Sequence, residues 1–328
     1  METQKPITTI GLITSGGDSP GMNACIRAVV RTACAGGMTV YGVYNGLQGL
    51  IDDTIEEMKP GDVSGIIRDG GTMLGTARCQ EFFYKHGRKR AADNIRKHGI
   101  EALIICGGDG SFRGGYALYK DFGIPFIGLP GTIDNDMYGT DYTIGFATAV
   151  HTAVDAIDKI RDTAQSHRRL FFVEVMGRHS GALALSAALA SGADAVLIPE
   201  TKSDLDQLAE EIVAAHERGR KSFITIVAEG DEAGNAFEVQ AKIEQKINIK
   251  GRVCVLGHIQ RGGSPSAFDR ILATRLGYAA VQALKQGTVN VFIGMVKGEI
   301  SRIPITTVVR KKCKTNISDE EVLKVIAT

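Results

Sequence analysis

The chain has 328 residues, a net charge of +1 and 23% charged residues. Near-balanced charge gives no support for a nucleic-acid partner or a membrane surface. The length allows a large core and predicts two lobes, and 40 glycines in an otherwise ordinary composition fit many tight strand-to-helix turns.

The cysteines at 25, 34, 79, 106, 254 and 313 form no CxxC pair and no zinc-type spacing with histidine. Cys106 and Cys254 lie in apolar runs, where a thiol behaves as a small hydrophobe. The expectation is a reducing, cytoplasmic setting without a structural metal. Met1 to Pro6 has no apolar signal core, and the uncharged run Gly181 to Ala193 is too short to span a bilayer.

Thr8 to Thr14 reads as the first strand. It enters Ser15-Gly-Gly-Asp-Ser-Pro-Gly-Met-Asn23, a glycine turn before a helix from about Asn23 to Ala35. This arrangement suits a phosphate cradle, but it equally suits plain strand–helix geometry. It is neither a GxxxxGK[ST] loop nor a GxGxxG fingerprint. Val40 to Val43 is a second strand, and Asn45 to Gly49 reads as a loop. Gly70-Gly-Thr-Met-Leu-Gly-Thr-Ala-Arg78 is glycine-rich and ends on a cation. Arg78 is either a solvated surface residue or a phosphate clamp on a mobile loop. Arg88 to His98 is a charged helix.

Leu103, Ile104 and Ile105 read as a strand buried on both faces, because polar alternation is missing. The strand runs into Gly107-Gly-Asp-Gly-Ser111, with a helix from Arg113 to Asp121. A second such strand, Phe126 to Gly128, leads to Pro130-Gly-Thr-Ile-Asp-Asn-Asp136. Each run ends in small residues and carboxylates. Glycine lets backbone N–H groups approach an anion, and Asp109 stands where a metal shared with a phosphate could be held.

Thr143 to Ser166 is a core-facing helix by its apolar spacing. The alternation then restarts. Leu170 to Val175, Ala195 to Ile198, Phe223 to Ala228 and Val253 to Leu256 are strands, with helices over Leu205–Arg218 and Val239–Ile247. Met176-Gly-Arg-His-Ser-Gly181 and His258-Ile-Gln-Arg-Gly-Gly-Ser-Pro265 are further glycine turns. Arg270 to Lys285 is a helix, and Lys311 to Lys314 a short basic, solvated segment. The pattern predicts an α/β protein: two doubly wound, Rossmann-like lobes with mainly parallel sheets facing a central cleft. The expected limits are 1–143 with about 263–310 for one lobe, and 144–262 with about 311–328 for the other.

Carboxylates and cradles in the first half, with Arg169, Arg178, Arg252, His258 and Arg261 at strand ends in the second, suit phosphoryl transfer. Arginine matches phosphate oxygens with paired donors, so these cations suit a phosphorylated acceptor. Glu229 could accept hydrogen bonds from sugar hydroxyls.

Over nearly its whole length the chain resembles the bacterial-type ATP-dependent 6-phosphofructokinases. The resemblance rests on Leu12 to Asn23, Gly107 to Ser111, Pro130 to Asp136, Val175 to Arg178 and Gly257 to Pro265. It implies a glycolytic kinase moving the ATP γ-phosphoryl group to the 1-hydroxyl of fructose 6-phosphate, with Mg²⁺. Gly17, Arg78, Cys79, Gly108, Asp109, Gly110 and Ser111 match nucleotide-binding positions, and Asp109 matches the magnesium ligand. Asp134 matches the general base, while Thr132 and Arg178 match residues that steady the transferring group. Thr132, Ile133, Asp134, Arg169, Met176, Gly177, Arg178, Glu229, Arg252, His258, Ile259, Gln260 and Arg261 match substrate-binding positions. The residues matching Arg169 and Arg252 come from a neighbouring subunit in that family, which implies an allosteric homotetramer.

Relatives that use pyrophosphate carry aspartate where Gly110 stands and lysine where Gly131 stands, so ATP is the expected donor. The alternatives are a pyrophosphate-dependent enzyme and a catalytically silent regulatory paralogue. Arg27, Arg31, Arg161, Asp194, Arg218 and Arg220 match an effector pocket. Pro60 replaces an arginine there and Gly65 an aspartate, so a shallow response to ADP and phosphoenolpyruvate is expected.

Overall fold

The computed structural model describes residues 7–167, 169–313 and 315–327. The chain divides into two compact units. The first holds the chain up to Thr132, Met137–Ala147 and Arg261–Cys313; the second holds Ile133–Asp136, Thr148–Gln260 and the stretch after Cys313.

The first unit contains β1 (Thr9–Ser15), α1 (Met22–Ala35), β2 (Thr39–Val43), α2 (Gly46–Asp52), β3 (Ile55–Met58), α3 (Lys85–Lys97), β4 (Ala102–Gly107), α4 (Asp109–Phe122), β5 (Phe126–Thr132) and β6 (Ile144–Gly145). Helix α5 (Phe146–His167) leads to the second unit, with β7 (Leu170–Val175), α6 (Ala182–Ser191), β8 (Ala195–Leu197), α7 (Leu205–Glu217), β9 (Phe223–Ala228), α8 (Ala236–Ile247) and β10 (Gly251–Val255). The first unit is completed by α9 (Ala267–Lys285), β11 (Val291–Val296), β12 (Glu299–Pro304) and α10 (Ile305–Val308). Helix α11 (Ser318–Ile326) belongs to the second unit.

The strands of the first unit run in the order β12-β11-β5-β4-β1-β2-β3, with β6 paired to β5. All of these pairings are parallel except β2–β3 and β11–β12. Alternate residues of β4 serve opposite faces. Ala102, Ile104 and Cys106 join a cluster with α1 and α9, while Leu103 and Ile105 join one with α2, α3 and α4. A strand covered on both sides needs no polar residue, which explains the unbroken apolar run. The second unit has a parallel sheet in the order β10-β7-β9-β8.

Several boundaries differ from the sequence reading. The expected loop at 45–49 is the start of α2, entered through Asn45 in the left-handed region at φ 63°. Leu47, Leu50 and Ile51 are buried against Ile13 and Leu103, and that burial favours the helix. Helix α4 begins at Asp109 rather than near Arg113, since Ser111 N and Phe112 N both donate to Gly108 O. The antiparallel strands β3, β11 and β12 and helix α11 went unread. Lys311 lies 4.9 Å over the Tyr138 ring, Lys312 forms a bridge with Met137, and Lys314 lies outside the described residues. No helix among the described residues is long and apolar enough to cross a membrane.

Candidate functional site

In the first unit, neighbouring strands deliver their turns to one place. Strand β1 ends at Ser15, β4 at Gly107 and β5 at Thr132, and β1–β4–β5 are consecutive in the sheet. A Cβ on Gly16 would stand 3.3 Å from Ser111 Oγ, and one on Gly108 would stand 3.9 Å from Thr132 Cβ. The 14-residue helix α4 opens here, with Asp109, Gly110 and Ser111 in its first turn. Its leading N–H groups and dipole suit an anion. Thr132 is pinned from behind, since Thr143 Oγ1 donates to Thr132 O at 2.6 Å. Its register partner Gly145 donates to the fully buried Asp269 at 2.9 Å.

Asp109 accepts a 2.7 Å hydrogen bond from Arg113 Nε, with side chains 44% and 57% exposed. Groups of three or more metal-ligating side chains are absent among the described residues. Asp109 is an accessible carboxylate of the kind Mg²⁺ uses, since that ion keeps waters and takes one or two carboxylates together with substrate phosphates. A single accessible carboxylate beside an anion cradle is such a donor set.

The two glycines associated with donor choice differ. A Cβ on Gly110 meets nothing within 4 Å. One on Gly131 meets Cys106 Sγ at 2.8 Å, Met22 Cε at 2.9 Å and Gly107 N at 3.2 Å. Packing alone therefore holds residue 131 as glycine. The neighbouring Cys106 thiol, together with burial, raises the Cys25 thiol well above its usual range.

The loop before Arg78 is anchored at several points. Asn23 Nδ2 donates to Asp69 O and Gly70 O at 3.1 Å, and Asn23 Oδ1 accepts from Met73 N at 2.7 Å. Thr14 Oγ1 donates to Gly75 O at 3.0 Å. Arg78 itself is exposed and Cys79 half-buried, with burial raising the Cys79 thiol. The guanidinium of Arg261 lies against Gly17: a Cβ there would stand 3.2 Å from Nη1 and 3.3 Å from Cζ.

In the second unit, Asp134 is buried, and Arg178 Nε stands 3.8 Å from its Oδ2. Arg178 occupies the left-handed region at φ 52°, after Gly177 at φ 141°. A non-glycine residue held there stores strain that the surroundings must offset. Glu229 Oε1 does so by accepting Arg178 N at 2.8 Å, and a Cβ on Gly230 would fall 1.7 Å from Arg178 O. Met176 N donates to the fully buried Gln260 at 3.4 Å, and Gln260 Nε2 donates to Gly257 O at 3.0 Å. Ile133 is buried, while His258 and Ile259 are exposed.

Arg169 and Arg252 do not join this group. Arg169 immediately precedes β7, and Arg252 is the second residue of β10, paired with Phe171. Both stand at the amino ends of parallel strands, whereas Met176 to Arg178 follow the carboxyl end of β7. Six residues at about 3.3 Å each separate the ends by roughly 20 Å. Within the chain, Arg169 and Arg252 therefore stand at the opposite end of the sheet from Arg178.

Of the effector-matching set, Arg27 and Arg31 lie one turn apart on α1. In the second unit, Asp194 pairs with Arg220 Nη1 at 2.5 Å and accepts Ile224 N at 2.7 Å. Burial raises the Asp194 carboxyl, against the Ile224 amide and the charges of Arg220 and Arg161. Arg161 caps α6 by donating to Ser191 O and Gly192 O at 2.8 and 2.7 Å. A cavity of about 330 Å³ is lined by Asp194, Arg218 and Arg220 together with Lys202, Glu320 and Lys324. The share of α11 in it was missed. Its sequence signal was the acidic first turn Asp319–Glu321 ahead of Leu323 and Lys324.

A sequence model of the Phosphofructokinase (PFK) family matches residues 9–284. The chain belongs to the phosphofructokinase family. Similar phosphofructokinases include ATP-dependent 6-phosphofructokinase 1 of Thermus thermophilus, 52% identical over 307 residues, which are 94% of this chain and 95% of that protein. ATP-dependent 6-phosphofructokinase of Bacillus pumilus is 53% identical over 303 residues, 92% of this chain and 94% of that one. Among solved structures, phosphofructokinase from Saccharomyces cerevisiae superposes with a TM-score of 0.88 at 37% identity over 98% of this chain. The chain spans 48% of the length of that yeast chain. A pyrophosphate-dependent phosphofructokinase from Marinobacter aquaeolei has a TM-score of 0.82 at 24% identity over 95% of this chain and 86% of that one, a likeness of fold.

Proposed function

We propose that this chain is an ATP-dependent 6-phosphofructokinase, forming fructose 1,6-bisphosphate and ADP from fructose 6-phosphate and ATP. The observation that carries this reading is the buried Asp134 with the Arg178 guanidinium 3.8 Å from it. A base for the acceptor hydroxyl and a cation for the transferring group stand side by side, on the separate turns that follow β5 and β7.

In this reading the first unit binds the nucleotide. The amides of Gly108 to Gly110 at the start of α4, with the Ser111 side chain, hold donor phosphates, with Gly17, Arg78 and Cys79 completing the site. Asp109 would hold Mg²⁺, and the ion would neutralise charge on the donor phosphates. The sugar phosphate lies at Met176 to Arg178, Glu229 and His258 to Arg261. Asp134 takes the proton as the 1-hydroxyl oxygen bonds to the γ-phosphorus and the bond to the ADP oxygen breaks. Thr132 and Arg178 each act to steady the transferring phosphoryl group. An ionised aspartate is available at neutral pH, since its ordinary pKa is about 3.9.

The amino-end position of Arg169 and Arg252 supports their service to a neighbouring subunit, and hence a homotetramer. The cavity beside Asp194, Arg218 and Arg220 supports one half of an effector site. The open space at Gly110 supports ATP over pyrophosphate, because a carboxylate there would repel the α-phosphate. The cytoplasmic, glycolytic setting rests on the resemblance to the bacterial relatives. A coupled assay comparing the two donors tests the reading: faster turnover with pyrophosphate than with ATP refutes it.

A further inference from the structure

We propose that Arg261 binds the phosphoryl donor as well as the acceptor phosphate, as a cation laid across the Gly17 turn. The inference rests on the kinase reading above and extends it. A Cβ at Gly17 would stand 3.2, 3.3 and 3.5 Å from Nη1, Cζ and Nη2 of Arg261. Near-equal distances to the three atoms mean that the guanidinium plane covers the bare face of the glycine. Any side chain at residue 17 would occupy that place.

The backbone after Arg261 is fixed to the same side of the first unit. Gly263 O would lie 2.3 Å from a Cβ on Gly70, and Ser264 Oγ donates to Arg68 O at 2.7 Å. Asn23, on α1 directly after the Gly17 turn, holds Asp69 O and Gly70 O. Chain division agrees, since the first unit resumes at Arg261. The Arg261 side chain is half-buried and makes no ion pair or side-chain hydrogen bond among the described residues. Its fork of N–H donors is thus unspent beside the β1 turn, within the first unit that carries the α4 amides. A guanidinium offers paired donors to phosphate oxygens, and a planar group can serve a donor on one edge and an acceptor on another.

The test is nucleotide binding without sugar phosphate. ATP and ADP affinities are measured by calorimetry on the full chain for wild type, Arg261→Gln, Arg261→Lys, Gly17→Ala and the Gly17→Ala/Arg261→Gln pair. Arg261→Gln is expected to weaken ATP about tenfold, the scale of a charge-assisted hydrogen bond. Arg261→Lys, which keeps the charge but loses the fork, should weaken it by about threefold and serves if the glutamine variant does not fold. The double variant should lose less than the product of the single losses, because alanine at 17 already displaces the guanidinium. Unchanged ATP affinity in both Arg261 variants, with only the fructose 6-phosphate KM raised, overturns the proposal. So do losses that multiply. Wild type that turns over fructose 6-phosphate while the variants bind ATP normally sinks this inference alone; wild type without that turnover sinks the underlying reading.

Discussion

Arg178 holds its Nε 3.8 Å from Asp134 Oδ2 while giving its own backbone N–H to Glu229 Oε1 at 2.8 Å. One residue in a strained conformation, φ 52°, thereby joins the proposed base to the proposed sugar ligand. The strain persists because the Glu229 carboxylate and the bare Gly230 hold the turn. Asp134→Asn is expected to cut kcat by about 10²–10⁴-fold, the usual share of a general base. Fructose 6-phosphate binding, followed by calorimetry, should be retained, because the Arg178–Glu229 bond is left intact.

Gly110 and Gly131 should separate donor choice from stability. Gly110→Asp projects into open space, so its Tm should match wild type while turnover with ATP falls. Gly131→Ala drives a methyl group toward Cys106 Sγ at 2.8 Å and Met22 Cε at 2.9 Å. Overpacking of this kind costs about 1–3 kcal/mol. A Gly131→Ala protein as stable as wild type in urea titration would show that the layer beneath β5 yields freely.

Asp53 gives a stability signal that depends on pH. It caps α2 at φ 59° and bonds Lys97 Nζ at 2.5 Å and His98 Nε2 at 2.7 Å, at the end of α3. Hydrogen bonds from Lys97 first, then His98, lower its carboxyl below the ordinary value. Between the ordinary and the lowered value the unfolded chain binds more protons, so stability rises with pH there. The contribution is present above the ordinary carboxylate pKa and is lost as pH falls through the lowered one. Asp53→Asn should lower stability at neutral pH by about 0.2–1 kcal/mol, as for exposed pairs. Melting curves should converge with wild type in acid; a gap that stays constant with pH would assign the loss to packing.

The effector response should be shallow. Pro60 and Gly65 stand where the resemblance implies a cation and a carboxylate and supply neither, and a Cβ on Gly65 meets nothing within 4 Å. Fructose 6-phosphate saturation curves with ADP or phosphoenolpyruvate should show only a small change in half-saturation. A large shift would mean that the cavity beside Arg218, Arg220 and Lys324 supplies the missing charge.

Local sequence by itself determined where β1, β2, β4, β5 and β7 to β10 and the glycine turns after them fall. The runs into Gly107 and Pro130 are apolar throughout because both faces of β4 and β5 are covered, and covered strands carry no polar alternation. Glycines and carboxylates at their ends marked the cradle, and the motif order pointed to the family. The tertiary structure decided what those residues face. Capture of the Ser111 and Phe112 amides by Gly108 O carries α4 back to Asp109. Burial of Leu47, Leu50 and Ile51 turns an apparent loop into a helix. Parallel pairing of β7 and β10 carries Arg169 and Arg252 to the amino ends of their strands, away from Arg178. Chain return at Arg261 sets a guanidinium on Gly17, some 240 residues earlier by chain separation. Periodicity encodes burial within a segment. Contacts between distant segments depend on register and crossover, which no single segment specifies.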